Sequence, residues 1–226
     1  MSKTAIIALN GEFISSKKEY INMFDNINGT FIAADGGALL LDRLGITADV
    51  IIGDLDSLSE DDIESFNSKN TDFIKYPVEK NETDGELAIN YCIENGFSKI
   101  ILVFAVGGRI DQELANIFLL DRSSKSEAEI LIKDTSIEIG IINNKKIFKN
   151  KINWGISLLP LDEKVNNVSI SGCKYNIDSN DLYRNKSRGI SNIINRNLAE
   201  IKISEGTLIY ILDKNMQSSW LILINK

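Results

Sequence analysis

The chain has 226 residues, of which 43% are hydrophobic and 25% charged, and its net charge at pH 7 is −7. This length allows one large domain or two smaller ones, and no run of lysines or arginines forms the basic surface that a nucleic acid would require. The sequence contains no histidine, which excludes imidazole bases, Ser-His-Asp sites and histidine-bound zinc. Proton transfer must therefore rely on carboxylates, lysine, tyrosine or water.

The first half of the chain alternates short apolar runs with amphipathic stretches. Such alternation predicts a mainly parallel sheet with helices on its faces, that is, a Rossmann-like α/β domain. In sheets of this kind, ligands bind beyond the carboxyl ends of the strands. The predicted strands are 4–9, 31–34, 50–52, 73–75 and 100–106, and the predicted helices are 17–24, 38–44, 60–67, 84–95 and 112–121.

Past the polar segment 121–127 the pattern changes to short β-rich runs separated by turn signals. A succession of this kind predicts an all-β sandwich or barrel of about 100 residues. We therefore expect an α/β domain over residues 1–124 and an all-β domain over residues 125–226. The predicted strands of the second domain are 129–133, 137–142, 145–148, 156–160, 168–171, 193–204, 207–212 and 220–224.

The two cysteines and the hydrophobic runs indicate the compartment. Cys92 and Cys173 have no metal-type spacing, so we expect buried, reduced thiols. The apolar run near the N-terminus is too short for a signal-peptide core, and no stretch approaches the length of a membrane span. These features predict a cytoplasmic protein without a membrane partner.

Two carboxylates follow directly after a short apolar strand. Gly53 ends the predicted strand, and Asp54 and Asp56 come next, two positions apart. In an extended chain residues i and i+2 point the same way, so the two carboxylates would project together. Adjacent like charges require a cation between them, and oxygen ligands suit Mg²⁺. The pattern therefore indicates a magnesium site or, alternatively, a solvated turn.

Asp84 has two interpretations. Thr83 and Glu86 have the spacing of a helix capping box, and acidic residues are favoured in a first helical turn. Asp84 is therefore either an ordinary residue of that turn or a third carboxylate of the metal site. The residues around it do not decide between the two.

A glycine pair opens another helix after the longest predicted strand of the first half. Gly107 and Gly108 allow close approach of the backbone to an anion. Arg109 offers a fork of donors that matches phosphate oxygens. Asp111 can cap the helix or hold a metal or a ribose, and Asn116 lies one turn further along.

Asp35, Gly36 and Gly37 repeat this strand–glycine–helix arrangement at a second strand end. Neither place has the full G-x-G-x-x-G spacing or a P-loop, so dinucleotide and P-loop interpretations are weak. Taken together, the carboxylates, the arginine and the glycine-opened helices predict a Mg²⁺-dependent site for a polyphosphate. In such sites positioning and charge neutralisation supply most of the catalysis.

In their order along the chain these motifs resemble those of the thiamin pyrophosphokinase family. The similarity runs through nearly the whole sequence, with Gln112 in place of a frequent histidine and Asn81 in place of a frequent aspartate, a change that can alter the number of metal ions. The matching stretches are 34–38 (ADGGA), 53–57 (GDLDS), 83–88 (TDGELA), 107–116 (GGRIDQELAN), 157–161 (SLLPL), 171–175 (SGCKY) and 187–192 (SRGISN).

The resemblance implies transfer of pyrophosphate from ATP to the hydroxyethyl oxygen of thiamin, which leaves AMP, and it implies Mg²⁺ as cofactor. It also implies a homodimer, with thiamin bound between the α/β domain of one subunit and the β domain of its partner. The implied sites are Asp54, Asp56 and Asp84 for the metal, with Arg109 also catalytic; Asp35, Gly36, Gly37, Gly107, Gly108, Arg109, Asp111, Gln112 and Asn116 for ATP; and Ser191 and Asn192 for thiamin.

Other assignments stay open at this stage. The proton acceptor is expected to be Asp84 or Asp56, unless a metal-bound alkoxide forms without a dedicated base. The acceptor alcohol can instead be another small molecule such as a pterin, and a D-x-D glycosyl- or nucleotidyltransferase and a non-catalytic nucleotide sensor are further alternatives. The aromatic that would stack on thiamin is not identified, because Trp154 and Trp220 are each expected in the core or at an interface.

Overall fold

The computed structural model describes residues 3–216, and the chain divides after Thr135 into two compact units. The predicted strand 220–224 and Trp220 lie outside the described residues. The division falls later than the boundary after residue 124 that the sequence pattern predicts. The cause is the strand Glu129–Lys133, which belongs to the first unit.

The first unit contains a parallel sheet and five described helices. Its strands lie in the order β6-β5-β1-β2-β3-β4, and every neighbouring pair is parallel. The predicted α/β unit with a mainly parallel sheet is thus confirmed. The strands are β1 (Thr4–Ala8), β2 (Thr30–Ala34), β3 (Val50–Gly53), β4 (Asp72–Lys75), β5 (Lys99–Val103) and β6 (Glu129–Lys133), and the helices are α1 (Lys17–Phe24), α2 (Gly37–Arg43), α3 (Glu60–Ser68), α4 (Asp84–Glu94) and α5 (Ile110–Leu119).

The central strands are apolar along their whole length because they are buried. In β1 the four residues from Ala5 to Ala8 are fully buried, and β5 likewise buries every residue after Lys99. Unbroken apolar runs of this kind are typical of parallel strands that are covered on both faces. The predicted strand 100–106 is too long, because Phe104 adopts a left-handed φ of 55° and leads the chain out of the sheet.

Strand β6 explains the later division between the units. The sequence pattern assigned it to the all-β domain, but it pairs in parallel with β5, with Lys99 opposite Glu129 and Leu102 opposite Ile132. The segment predicted as a linker instead contains a 3-10 helix, Leu120–Ser124, which contacts β6. Strand-forming residues reveal a strand but not its partner, so the sequence could not show which sheet β6 joins.

The second unit consists of antiparallel strands, which confirms its all-β character. One set has the order β12-β9-β14-β7 and the other the order β11-β10-β13-β8. Residues of both sets form one apolar cluster, which includes Phe148, Leu182 and Tyr210. The strands are β7 (Ile137–Ile142), β8 (Lys145–Lys149), β9 (Gly155–Pro160), β10 (Lys164–Ser171), β11 (Ile177–Tyr183), β12 (Asn192–Ile193), β13 (Leu198–Lys202) and β14 (Leu208–Asp213).

The two cysteines are free and buried, as predicted. Burial raises the pKa of the Cys92 thiol to about 12 and that of Cys173 to about 11, so both thiols are protonated at neutral pH. Within residues 3–216, no helix combines the length and the hydrophobicity that crossing a membrane requires.

Candidate functional site

Three carboxylates converge at the edge of the parallel sheet. Asp35 follows β2, Asp54 follows β3 and Asp84 is the first residue of α4. One oxygen of each carboxylate lies within 4.8 Å of the other two. We call these three residues the acidic cluster. It lies beyond the carboxyl ends of neighbouring parallel strands, where ligands bind in sheets of this kind.

The local backbone makes this convergence possible. Gly53 has a φ of 154°, and a Cβ atom there would lie 3.1 Å from both the Asp35 Cβ and the Asp84 Oδ1. Any larger residue would therefore push the acidic cluster apart. Asp35 itself adopts a left-handed φ of 46°, an unfavourable conformation of the kind that collects at functional sites.

Lys80 lies against two members of the acidic cluster. Its Nζ is 2.8 Å from Asp84 Oδ1 and 3.2 Å from Asp54 Oδ2, and its side chain is only 11% exposed. Burial by itself lowers the pKa of Lys80, but the contacts with Asp84 and Asp54 outweigh it and the net shift is upward. The side chain is therefore a fixed positive charge inside the acidic cluster.

The two carboxylates that contact Lys80 differ in their electrostatic surroundings. The hydrogen bond from the Asp56 backbone N–H lowers the pKa of Asp54, and the contact with Lys80 lowers it further. Burial raises the pKa of Asp84, and the nearby charges of Asp54 and Asp35 add to this effect, while Lys80 opposes it. Asp84 is therefore the stronger base of the two.

Asp35 completes the acidic cluster and lacks a donor for one oxygen. The residue is 7% exposed, and no donor in the described part of the chain forms a hydrogen bond with its buried Oδ1. A buried carboxylate oxygen without a partner is costly, and such an atom suggests a missing ligand. An acidic cluster with such an oxygen fits a hard divalent cation such as Mg²⁺.

Asp56, the second predicted carboxylate, is not part of this group. Its side chain is exposed, and its backbone N–H donates to Asp54 Oδ1 at 3.2 Å. The chain from Asp54 to Asp56 is not the extended strand that the prediction assumed, because β3 ends at Gly53 and Leu55 has a left-handed φ of 67°. Asp35, which the family resemblance assigned to the nucleotide, takes the third position instead.

The second part of the site is the loop of Gly107, Gly108 and Arg109, which we call the glycine loop. Its two glycine N–H groups both donate to Glu113 Oε1, at 2.9 and 2.8 Å. The predicted anion position is thus filled by a carboxylate of the same chain. Sequence reasoning missed Glu113, although its position in the first turns of α5 allows its side chain to reach back to the loop.

Arg109 and Asp111 form an exposed ion pair beside the glycine loop. Arg109 Nη2 is 2.6 Å from Asp111 Oδ2, and the arginine side chain is 73% exposed. The guanidinium lowers the pKa of Asp111. Asn116, in contrast, is buried and donates from Nδ2 to the Ala105 carbonyl at 3.0 Å, so it holds the chain that leads into the loop.

One cavity connects the two parts of the site. Its volume is about 430 Å³, and its lining includes the acidic cluster, Lys80 and residues of the glycine loop and α5: Gly108, Arg109, Gln112, Glu113 and Asn116.

Gly36 and Gly37 begin α2, and a Cβ on Gly37 would lie 2.1 Å from the Ala8 carbonyl oxygen. The need for close packing of α2 on β1 therefore accounts for Gly37.

The predicted thiamin residues lie in the second unit, where they shape a loop. Asn192 is 5% exposed; its Oδ1 accepts from the Tyr175 backbone N–H at 3.0 Å, and its Nδ2 donates to the Tyr175 carbonyl at 2.7 Å. Ser191 has a φ of 59° and donates its backbone N–H to Ser157 Oγ. Asn192 thus fixes the backbone of Tyr175, whose ring is 56% exposed.

Tyr175 is an exposed aromatic residue beside the predicted thiamin residues, and the sequence analysis did not select it. It stands in the matching stretch 171–175, and its hydrogen bonds to Asn192 link two of the motifs that resemble the family. Trp154 is partly buried and packs against the apolar cluster of the second unit, which confirms the expectation of a core role. The exposed tyrosine is the better candidate for a ligand contact.

The first unit combines a parallel sheet with one cavity, which is bordered by the acidic cluster, the largely buried Lys80 and the glycine loop. These features are typical of proteins that bind a phosphate compound together with a cation. The comparison with known families is more specific. The family model described as "Thiamin pyrophosphokinase, catalytic domain" matches residues 23–132, and the one described as "Thiamin pyrophosphokinase, vitamin B1 binding domain" matches residues 144–208. The chain belongs to the thiamin pyrophosphokinase family, whose members transfer pyrophosphate from ATP to thiamin.

Individual relatives agree with this assignment. The chain is 28% identical to the thiamine pyrophosphokinase of Bacillus subtilis over 184 residues, which cover 80% of this chain and 86% of the relative. A crystal structure of the thiamine pyrophosphokinase from Bacillus subtilis has a TM-score of 0.81 at 24% identity and covers 93% of this chain and 99% of its own. The yeast enzyme has a TM-score of 0.76 at 16% identity, with 94% and 86% covered. These structures share the fold of this chain.

Proposed function

We propose that the chain catalyses the Mg²⁺-dependent transfer of pyrophosphate from ATP to thiamin, which gives thiamin diphosphate and AMP. The observation that carries the proposal is the convergence of Asp35, Asp54 and Asp84 at the end of the sheet, on the same cavity as Arg109. Membership in an ATP-using family, in which a divalent metal is usual, supports the choice of nucleotide and cofactor.

The acidic cluster would hold Mg²⁺, and the unpartnered Oδ1 of Asp35 supports this assignment. When bound, the ion would supply positive charge to the phosphate oxygens. Asp56 remains a proposed metal and catalytic residue, because its carboxylate is exposed and can be reached by a ligand that enters with the nucleotide. The residues of the cluster would thus hold the ion that neutralises phosphate charge rather than form a covalent intermediate.

The nucleotide would lie along the other side of the cavity. Gly108, Arg109 and Gln112 line the cavity and would contact phosphate oxygens, while Asn116 and Asp111, which pairs with Arg109, would orient the nucleotide. Gly36, Gly37 and Gly107 stay in the proposal as backbone that shapes the site. A phosphate at the glycine loop must displace Glu113 from the two N–H groups that it now occupies.

Asp84 is our choice for the residue that accepts the proton of the thiamin hydroxyl. Burial raises its pKa, whereas the pKa of Asp54 is lowered, so in the metal-free site Asp84 binds a proton more readily. Both line the cavity, where the acceptor alcohol must meet the nucleotide. Proton transfer to a carboxylate is in keeping with a sequence that has no histidine.

The second unit would bind thiamin. We propose that the exposed ring of Tyr175 stacks on the vitamin, while Ser191 and Asn192 fix the loop that presents the ring.

The proposal also includes a homodimer and a cytoplasmic location. It further includes a Rossmann-like arrangement of the first unit and a sandwich arrangement of the second. The shared apolar cluster of the two antiparallel strand sets supports the sandwich.

The test is an incubation of the protein with ATP, Mg²⁺ and thiamin, followed by separation of the products. We expect thiamin diphosphate and AMP in equal amounts. Thiamin monophosphate with ADP would refute the transfer of a pyrophosphoryl group, and turnover only with a pterin alcohol would refute thiamin as the acceptor. Asp54→Asn should lower turnover by about 10²–10³-fold, whereas Asp61→Asn on the exposed start of α3 should leave it unchanged.

A further inference from the structure

Lys80 has no role in the proposed reaction, yet it contacts two members of the acidic cluster. We propose that Lys80 is a built-in cation that a divalent ion displaces, so that metal binding releases the lysine from Asp54 and Asp84. This inference rests on the proposed function, because it assigns the acidic cluster to a divalent ion. It adds a residue that controls when the site accepts that ion.

The charges show why the site needs a resident cation. When all are ionised, the three carboxylates carry a formal charge of −3 and Lys80 carries +1, so the group has a net formal charge of −2. Like charges at such short range and in a low-dielectric place are strongly unfavourable without a counter-ion. Lys80 therefore lowers the cost of the empty acidic cluster but does not balance its charge.

The distances show why lysine and metal would compete. The ammonium contacts two of the three carboxylates, at 2.8 and 3.2 Å, and it leaves Asp35 Oδ1 without a hydrogen bond. A divalent ion that draws on all three residues needs oxygens at about 2.0–2.1 Å for Mg²⁺. Two cations that share the Asp54 and Asp84 oxygens repel each other, so the lysine and the ion compete for these oxygens.

The position of Lys80 in the chain allows it to move. It lies in the loop between β4 and α4, before Thr83 caps the helix, so its side chain can leave without breaking a helix or a strand. Lys80 also lines the cavity, so the released ammonium stays next to the place proposed for the phosphates.

The first experiment uses the unaltered protein and an amine-labelling reagent, with mass spectrometry of the peptide that contains Lys80. In EDTA we expect slow labelling, because the amine is buried and paired, and with saturating Mg²⁺ we expect it to rise at least about fivefold as the lysine loses its protection. Lys69, paired with Asp42, and Lys99, paired with Glu129, are internal controls that should not respond.

Binding of Mg²⁺ is followed in parallel by calorimetry, which separates the two proposals. If Mg²⁺ binds and the labelling of Lys80 stays constant or falls, displacement is refuted while the metal site stands. If Mg²⁺ does not bind, the metal site itself is refuted together with this inference. Neither readout depends on turnover.

The second experiment measures Mn²⁺ affinity after removal of the competing charge. Lys80→Met should bind Mn²⁺ about tenfold more tightly or better, since the ion no longer has to expel an ammonium, and Lys69→Met should bind it as the unaltered protein does. Unchanged or weaker Mn²⁺ binding by Lys80→Met refutes the proposal. If Lys80→Met does not fold in EDTA, recovery of the fold by Mn²⁺ supports the proposal, and if it folds in neither condition the labelling experiment decides.

Discussion

The acidic cluster and the glycine loop border the same cavity, and in both places the chain pairs its own charges. In the acidic cluster a buried lysine contacts two carboxylates. At the glycine loop a carboxylate accepts from two N–H groups, and the neighbouring Arg109 forms an exposed ion pair with Asp111. The first part therefore holds an internal cation where a metal is proposed, and the second holds an internal anion where a phosphate is proposed.

The two parts differ in burial, and burial determines how strongly the charges of each part interact. Charges in a buried place interact strongly because little water screens them, whereas exposed pairs are screened by solvent and salt. We therefore expect changes in the acidic cluster to affect both stability and turnover. Changes at the glycine loop should affect ligand affinity and leave stability nearly untouched.

Asp84→Asn should have the largest effect, with turnover reduced by about 10²–10³-fold. Its stability in EDTA should nevertheless rise or stay the same. Burial raises the pKa of Asp84, so the folded state disfavours the charged form, and stability falls as the pH rises through that raised pKa. A neutral isostere removes this cost. Thermal unfolding in EDTA and an assay of AMP formation measure the two effects, and a lower melting temperature would contradict the expectation.

Gly53→Ala tests the geometry of the acidic cluster without changing any charge. The new Cβ would lie 3.1 Å from Asp35 Cβ and Asp84 Oδ1, so we expect a loss of about 1–3 kcal/mol in stability and weaker Mn²⁺ binding. Gly45→Ala is the matched control, because Gly45 has a φ of 78° and open space around it. The control should lose stability, by about 1–2 kcal/mol, and keep the Mn²⁺ affinity. Equal Mn²⁺ binding by both variants would show that crowding at Gly53 is harmless.

Much of the fold could be predicted because local signals determined it. Helix α1 begins and ends where the sequence pattern predicts, since Ser16 and Glu19 form a complete capping box. Strand β11 was missed, because its residues are mostly polar and its pairing with β10 is irregular. Strand β6 was placed in the all-β domain although it pairs with β5, because pairing depends on distant residues.

The site follows the same rule. The strand ends and glycines located Asp54 and Arg109 near one cavity, because the carboxyl ends of parallel strands share one edge, whereas Asp84 was assigned to the metal by the family resemblance. Lys80 and Glu113 were missed, since each acts through a contact that loop conformation decides. Sequence motifs therefore predicted the side chains that a ligand would meet, but not the ones that take the place of a ligand.

Arg109→Lys sharpens the comparison at the exposed part of the site. Lysine keeps the charge but loses the planar fork that matches phosphate oxygens, so we expect kcat/KM for ATP to fall about tenfold. The melting temperature should not change, because the pair with Asp111 is exposed. Arg43→Lys at the exposed end of α2 is the control. A lower melting temperature of Arg109→Lys would mean that the glycine loop contributes to the stability of the folded state.

Glu113→Gln should have the smallest effect and the opposite sign. The carboxylate of Glu113 competes with phosphate for the N–H groups of Gly107 and Gly108, and an amide oxygen accepts those hydrogen bonds more weakly. We therefore expect the Kd for ATP to fall by about two- to fivefold, with Glu94→Gln on α4 unchanged. Weaker ATP binding by Glu113→Gln would instead mean that the carboxylate orders the glycine loop for the nucleotide, and the parallel between the two parts of the site would then fail.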